Sequence, residues 1–178
     1  MMVLIALFGS PQNMRAVTPP PDGGYPGRNT AEGQDALFNL TTGSANTAIG
    51  YQSLHSVTTS SGNTAVGDLT LASSNSINGV GSTAVGDHAL AMSDSPFANI
   101  AIGAYVLAIN VTGNSNVGVG GLYRNTSGDF NVAVGNSALG NNQAGSYNTA
   151  VGDTALLSNV SGFGNCAFGH DALDLQYC

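Results

Sequence analysis

The sequence predicts an all-β protein that folds as a parallel β-solenoid of about nine coils. Three observations support this prediction: one short phrase recurs through most of the chain, glycine stands at the same place in every copy, and the residues before it are small or β-branched. A fixed period of this kind is typical of proteins in which similar units stack on one another. The repeat therefore indicates the architecture before any single motif does.

The composition fits one repeat domain with little charge chemistry. The chain has 178 residues, of which 42% are hydrophobic and 7% are charged, and its formal net charge is -7. Ordinary soluble domains have about 25% charged residues, so few groups are at hand for acid, base or ion-pair catalysis, and we expect neither an enzyme nor a cofactor. Because phosphate binding needs Lys and Arg, nucleic acid is not an expected partner. The hydrophobic fraction argues against disorder.

Two segments precede the repeats. Residues 1–18 contain a short apolar run, which we interpret as a truncated secretion signal or as a disordered tail. Residues 19–28 are rich in Pro and Gly and are expected to form a linker, because proline cannot donate to a sheet ladder. The repeat domain then covers residues 29–178. No stretch approaches the roughly twenty apolar residues of a membrane span, so we expect no membrane insertion by this segment.

The repeated phrase is Asn-Thr-Ala-Val-Gly, followed by two residues, an Ala-Leu pair and a polar tail. Its nine copies begin at Asn29, Asn46, Asn63, Ser82, Asn99, Asn116, Asn131, Asn148 and Asn165, and each of these residues is position 1 of its copy. Position 5 is always glycine: Gly33, Gly50, Gly67, Gly86, Gly103, Gly120, Gly135, Gly152 and Gly169. A residue type without a Cβ predicts either a positive φ or a close backbone neighbour at a corner.

Each copy is expected to form one coil with about two strands and two turns. Positions 2–4 are mostly Thr, Ala, Val and Ile, which is strand composition and too short for a helix. The leading asparagine, as in Asn46, Asn63 and Asn148, suits the opposite corner because Asn tolerates left-handed backbone and bonds to its own turn. The Ala-Leu pair at positions 8 and 9 is predicted to be a second short strand or a bent segment.

The alternation of side chains along a strand sorts the apolar residues into columns. The alanines of position 3 are expected to face a narrow interior, and the Ile and Val residues of position 4 then face outward. The leucines of position 9 are expected to form a further apolar stripe: Leu54, Leu71, Leu90, Leu107, Leu139, Leu156 and Leu173. Open stripes promote aggregation, whereas their burial stabilises by about 25 cal/mol per Å². We therefore expect oligomerisation, and three chains around a common axis would bury the stripes symmetrically.

The phrase at residues 46–50, 63–67 and 148–152 resembles the head repeats of trimeric autotransporter adhesins and the related repeats of bacterial and phage tail-fibre proteins. The resemblance covers about 150 residues. It implies a left-handed parallel β-roll, a homotrimeric rod and a binding surface displayed outside the cell. Those heads usually have a shorter repeat, so the extra residues here are expected to lengthen the polar turn. Neck, stalk and anchor are not recognisable in the sequence, so attachment to an outer membrane is expected to depend on another segment.

Function on a solenoid is expected where the repeat is broken, because insertions map to loops on one face. The third copy has two extra residues between Ser73 and Gly81, which should bulge out of the turn. The sixth copy is two residues short, lacks the Ala-Leu pair and places Tyr123 and Arg124 at the break. We interpret Tyr123 and Arg124 either as a contact site or as a tolerated deletion beside a solvated arginine.

The remaining ionisable residues do not form a recognisable site. Asp68, Asp87 and Asp153 follow the repeat glycine and could attract calcium if they stacked, but a solvated face is favoured because only the first two are in adjacent copies. The histidines occupy different repeat positions, so they are interpreted as surface residues rather than metal ligands: His55, His88 and His170. No serine has the spacing of a catalytic triad.

Two residue columns leave further alternatives open. Cys166 stands where other copies have threonine and is interpreted as a small buried residue, whereas Cys178 could crosslink chains of an exported protein. The threonines of position 2 would suit an ice-binding surface: Thr30, Thr47, Thr64, Thr83 and Thr149. Other residue types interrupt this column in the middle and at the end of the chain. Glycan hydrolysis is disfavoured because the carboxylates are scattered.

The leading hypothesis is a non-enzymatic, extracellular or bacterial cell-surface module, which forms a trimeric rod and binds a host surface protein or glycan multivalently. A tail-fibre-like or surface-coat spacer without its own receptor is the alternative, and an ice-binding solenoid is a further one.

Overall fold

The computed structural model describes residues 26–73, 80–94 and 97–174. Nine three-residue strands follow one another: β1 (Thr30–Glu32), β2 (Thr47–Ile49), β3 (Thr64–Val66), β4 (Thr83–Val85), β5 (Ile100–Ile102), β6 (Val117–Val119), β7 (Val132–Val134), β8 (Thr149–Val151) and β9 (Cys166–Phe168). They form one parallel sheet in chain order, and these ranges contain no helix. The predicted all-β solenoid is confirmed.

Strand pairing joins equal positions of successive copies. Position 2 pairs with position 2, as Thr47 does with Thr64, and positions 3 and 4 pair in the same way through to β9. This register holds from β3 to β4 and from β6 to β7, so neither the insertion in the third copy nor the deletion in the sixth copy shifts the strand pairing. Because strands in a sheet lie about 4.8 Å apart, nine coils span about 40 Å.

The interior of each coil is filled by positions 3, 8 and 9. The alanines of position 3 are buried, with Ala48, Ala65 and Ala84 at 0% exposure. The leucines of position 9 are buried as well, and Leu107 is also at 0%. The prediction that these leucines form a stripe in need of cover is wrong, because they fill the centre of the coil. Of this column, only Leu173 in the last described coil is exposed.

Left-handed backbone at alternate positions turns each leucine inward. The φ angle is 55° at His88 in position 7 and 51° at Leu90 in position 9, and equivalent residues are similar in the other coils except the short sixth one, where Leu122 in position 7 is left-handed and Arg124 in position 9 is not. The segment bends at each of these residues, so the described coils have one strand each and not two. A left-handed residue other than glycine costs about 1–2 kcal/mol. Each full-length coil has two such residues here, so burial of the leucine, at about 1.5–3 kcal/mol, offsets most of their combined cost.

The glycine of position 5 has both a positive φ and a close backbone neighbour. At Gly152 the φ angle is 132°, outside the region that L-residues adopt readily. A Cβ on Gly152 would lie 2.4 Å from the carbonyl oxygen of Gly169 in the next coil. Backbone therefore stacks directly on backbone at this corner, which leaves no room for a side chain.

The leading asparagine is buried and connects neighbouring coils. Sequence analysis placed a left-handed residue here, but the left-handed residue is the one before it, for example Tyr147 with a φ of 60°. The Oδ1 atom of Asn131 accepts a hydrogen bond from the Asn148 N–H at 3.0 Å, and its Nδ2 donates to the Gly145 carbonyl at 2.8 Å. The pattern recurs along the column, so one side chain per coil satisfies a buried carbonyl near the end of its own copy and a buried N–H at the start of the next.

A second column of buried asparagines was not predicted. It occupies position 12, or position 10 in the short sixth copy, in the C-terminal half of the solenoid: Asn110, Asn125, Asn142 and Asn159. The Nδ2 of Asn142 donates to Asn125 Oδ1 at 2.8 Å and to the Gly145 carbonyl at 2.9 Å. A Cβ on Gly145 would lie 2.3 Å from Asn142 Oδ1, so glycine at position 15 makes room for the amide. These coils therefore carry two parallel amide ladders.

The short sixth copy keeps its core through changes in side-chain size. Leu122, two residues nearer to the glycine than in other copies, takes the leucine site and is fully buried. Gly118 replaces the alanine of position 3, and a Cβ there would lie 2.6 Å from Cγ1 of Val106. Val106 stands where most copies have a smaller residue. The larger valine of one coil therefore fills the space that the missing Cβ of Gly118 leaves in the next coil.

Several predictions fall outside the described residues. These are the signal or tail at residues 1–18, most of the linker at residues 19–28, the bulge between Ser73 and Gly81, and a crosslink at Cys178. The hand of the winding and the number of associated chains stay predictions.

Candidate interaction surfaces

The outer face of the sheet carries two columns, at positions 2 and 4, that the described part of the chain leaves open to solvent. Ile49 is 40% exposed, Ile102 is 42% exposed and Val134 is 37% exposed. The intervening valines are half-buried by their neighbours along the column. With a length of about 40 Å and a width of about 10 Å, the face measures roughly 400 Å². Threonines share position 2 and Glu32 occupies position 4 of β1, so the apolar patch is smaller than the whole face. An exposed apolar patch on a single chain is often an interaction site.

Threonine occupies position 2 only in part of this face. The first four strands have threonine there and pair in register, whereas β5 to β7 have Ile100, Val117 and Val132. The middle of the face is therefore wholly apolar, and the threonine array is broken. In β9 the position is Cys166, which is exposed. Its predicted burial is wrong because position 2 points away from the interior.

The two residues predicted at the break in the sixth copy have different environments. Tyr123 is half-buried against the core, and its hydroxyl donates to the Gly120 carbonyl at 2.9 Å. Arg124 is exposed. Tyr123 therefore supports the shortened corner, and of the two side chains only Arg124 is turned fully to solvent.

Carboxylates and histidines gather at the corner that follows the strand. The Nδ1 of His88 lies 2.7 Å from Asp87 Oδ1, and the Nδ1 of His170 lies 2.9 Å from Asp171 Oδ2. His170 Nε2 also lies 3.5 Å from Asp153 Oδ2. Exposed ion pairs of this kind add little stability. Within the described ranges, no group of three or more His, Cys, Asp or Glu residues could hold a metal ion.

Stacked rings connect neighbouring coils at three places on the surface. The pairs are Phe38 with His55, His88 with Tyr105, and Phe130 with Tyr147, with ring centroids 5.5, 5.0 and 5.1 Å apart and nearly parallel planes. These pairs were not predicted, although the two residues of each pair are one repeat length apart in the sequence. Such pairs contribute about 0.5–1.5 kcal/mol beyond their burial and add a rigid apolar surface.

No family model, curated protein or solved structure matches this chain. The resemblance to adhesin head repeats therefore depends on the repeat phrase and stays a prediction. Across the described residues, no helix is long and apolar enough to cross a membrane.

Proposed function

We propose that this protein is a non-enzymatic structural and adhesive module that acts outside the cell. Three parallel chains turn the outer faces of their sheets toward a common axis and form one rod. The observation that carries the proposal is the continuous exposed face of positions 2 and 4. Of the apolar columns that run the length of the solenoid, those at positions 3 and 9 are already inside the coil.

The shape of this face favours three chains over two. A pair of chains that met face to face would bury about 400 Å² on each partner, whereas a standard stable interface buries about 800 Å² per partner. Around a threefold axis, each chain meets two neighbours, and the corners beside the sheet are brought into the contact as well. The apolar face would then be removed from water in every chain at once.

The rest of the surface supports an adhesive role. The Asn, Ala and Leu columns are buried and most glycines of position 5 are half-buried at a corner, so the exposed turns between them are free to vary in sequence. A trimer would display every turn three times on a rigid rod. Weak contacts that act together give an avidity well above the affinity of one contact.

Light scattering after size-exclusion chromatography tests the assembly. The wild-type chain should have a molar mass of about 53 kDa, three times 17.8 kDa. Ile102→Asp places a charge on the shared face and should give a monomer of about 18 kDa that keeps its β-rich circular dichroism. Val111→Asp is the matched control, because Val111 is similarly exposed, at 43%, in the same coil but outside the strand, and it should stay trimeric. A monomeric wild type would contradict the proposal.

Capture of the purified rod on immobilised matrix proteins and glycans tests adhesion. The adhesive module should be retained by at least one of them. A trimer that none of them retains would favour a spacer without its own receptor.

A further inference from the structure

The two corners that flank the sheet differ in side-chain size from coil to coil. The front corner is the residue just before position 1 of each copy, and the rear corner is positions 6 and 7. The front corner is Ala, Gly or Ser in six coils, and in the other three it has a large, exposed side chain: Arg28, Phe130 and Tyr147. The rear corner has an aromatic or imidazole ring in four coils: Tyr51, His88, Tyr105 and His170.

A large side chain at one corner goes with small or ring-free residues at the other corner of the same coil. The coils with a ring at the rear corner have a small residue at the front corner: Ala45, Gly81, Ala98 and Gly164. The coils with a large front residue have polar, ring-free rear corners: Gln34-Asp35, Asn136-Ser137 and Asp153-Thr154. Positions 1–5 separate the two corners, and five residues of extended backbone span about 16 Å. Contact within one chain therefore does not explain why the two corners match.

Charge and hydrogen-bonding groups match in the same way. The first coil has the exposed cation Arg28 at its front corner and the half-buried carboxylate of Asp35 at its rear corner. The eighth coil has Tyr147, 64% exposed, at its front corner and Asp153, with a side chain 46% exposed, at its rear corner. Arginine and the tyrosine hydroxyl are donors, and a carboxylate accepts from both. Each coil therefore carries a donor at one corner and its acceptor at the other.

We propose that the two corners are the contact between neighbouring chains: the front corner of one chain packs on the rear corner of the same coil in the next chain. Parallel chains around an axis along the rod have equal coils at equal height. When their sheet faces turn toward that axis, the front corner of one chain lies beside the rear corner of its neighbour. The contact is continuous with the exposed face of positions 2 and 4, and antiparallel chains would lose the match.

The proposal rests on the trimer proposed above and names the surface through which the chains recognise one another. In that arrangement, Tyr147 meets Asp153 of the next chain, and Arg28 meets Asp35 of the next chain. Rings at the rear corner meet a front corner that is small enough to receive them. Because complementary charges and shapes mainly set register and partner choice, the corners would fix the alignment of the three chains, while the apolar face supplies burial.

Cross-linking between single-cysteine chains tests this contact. In a background with Cys166→Ser and Cys178→Ser, one chain carries Tyr147→Cys and a co-expressed chain carries Asp153→Cys. A short bis-maleimide should join the two into a covalent pair of about 36 kDa, twice 17.8 kDa. A chain with both substitutions should be joined into a closed ring of about 53 kDa, three times 17.8 kDa. Tyr147→Cys alone should stay unlinked.

Asp68→Cys in place of Asp153→Cys is the matched control. Asp68 stands at the same position five coils away, about 24 Å along the rod, so it should not be linked to Tyr147→Cys. Circular dichroism verifies the fold of each variant.

Charge reversal gives an independent measurement. Arg28→Asp should raise the dissociation constant of the trimer at least about tenfold, because three ion pairs become three repulsions. Arg28→Asp together with Asp35→Arg should restore the wild-type value. Arg124→Asp changes an exposed arginine outside both corners and should leave the value unchanged.

The corner contact and the trimer fail in different ways. A trimeric wild type without the link between Tyr147→Cys and Asp153→Cys would contradict the corner contact alone. Equal linking to Asp68→Cys, links between two Tyr147→Cys chains, or no rescue by Asp35→Arg would contradict it too. A monomeric wild type would contradict both proposals. A dimer with the link between Tyr147→Cys and Asp153→Cys would contradict three chains but support the corner contact.

Discussion

Replacing Asn131 with alanine should lower the stability of the solenoid by more than the loss of a small polar group suggests. Asn131 is fully buried, and its Oδ1 atom is the acceptor for the Asn148 N–H at 3.0 Å. Its Nδ2 donates to the Gly145 carbonyl at 2.8 Å and to Asn116 Oδ1 at 3.1 Å. Alanine would therefore remove bonds to both neighbouring coils.

The magnitude follows from the partners that remain. The Asn148 N–H would be left unpaired in a buried place, which costs about 1–3 kcal/mol. The Gly145 carbonyl keeps the hydrogen bond from Asn142 Nδ2 at 2.9 Å. Losing the bond from Asn131 Nδ2 therefore costs only one ordinary hydrogen bond, about 1 kcal/mol. The expected total is about 2–4 kcal/mol. Asn131→Ser should cost about half as much, because the chain already has a serine at this position, where Ser82 Oγ accepts from the Asn99 N–H at 3.2 Å.

Guanidinium chloride unfolding, followed by far-ultraviolet circular dichroism at one protein concentration, measures these differences. The midpoints should fall in the order wild type, Asn131→Ser, Asn131→Ala, with similar slopes. The reasoning would be refuted if alanine changed the free energy of unfolding by less than about 0.5 kcal/mol, the usual range of a surface substitution. It would also be refuted if serine and alanine were equally destabilising.

Two further predictions concern glycines. Gly152→Ala should lower the free energy of unfolding by about 3 kcal/mol or more, because φ is 132° and the new Cβ would lie 2.4 Å from a carbonyl oxygen. Gly164→Ala should lower it by only about 1–2 kcal/mol, because φ is 68° and no atom lies near the new Cβ. Equal melting temperatures of the two variants would contradict this expectation. Gly118→Ala should destabilise the wild type but be tolerated beside Val106→Ala, which removes the methyl 2.6 Å away. A double-mutant cycle without coupling between the two sites would refute the volume exchange.

The architecture could be predicted because it depends on backbone constraints that leave a direct mark in the sequence. A glycine in all nine copies signals a special corner, and at six of them the structure places the carbonyl oxygen of the next coil within 2.7 Å of where a Cβ would lie: Gly33, Gly50, Gly67, Gly86, Gly135 and Gly152. The strands were predictable for the same reason, since positions 2–4 have strand composition and pair in register.

The inward turn of Leu54 and its equivalents could not be predicted from side-chain alternation. That rule holds for extended backbone, whereas the φ angles of positions 7 and 9 are left-handed. The role of Asn46 was missed because its partners are distant in sequence: Asn63 begins the next coil, and Ser60 lies near the end of the copy that Asn46 begins. Tyr123 was predicted to be at the irregular copy, but its bond to Gly120 depends on how the shortened chain closes. The stacked rings were visible only as aromatic residues one repeat apart.

The distance between chains at Cys166 is the most direct test of the proposed assembly. This cysteine is exposed at position 2 of β9, on the face that should turn toward the axis. A nitroxide label on Cys166 in a Cys178→Ser chain can be measured by pulsed electron paramagnetic resonance. Because facing sheets pack about 10 Å apart, the labels of neighbouring chains should lie about 15–25 Å from one another. Fully labelled protein without any dipolar coupling between chains would contradict association through this face.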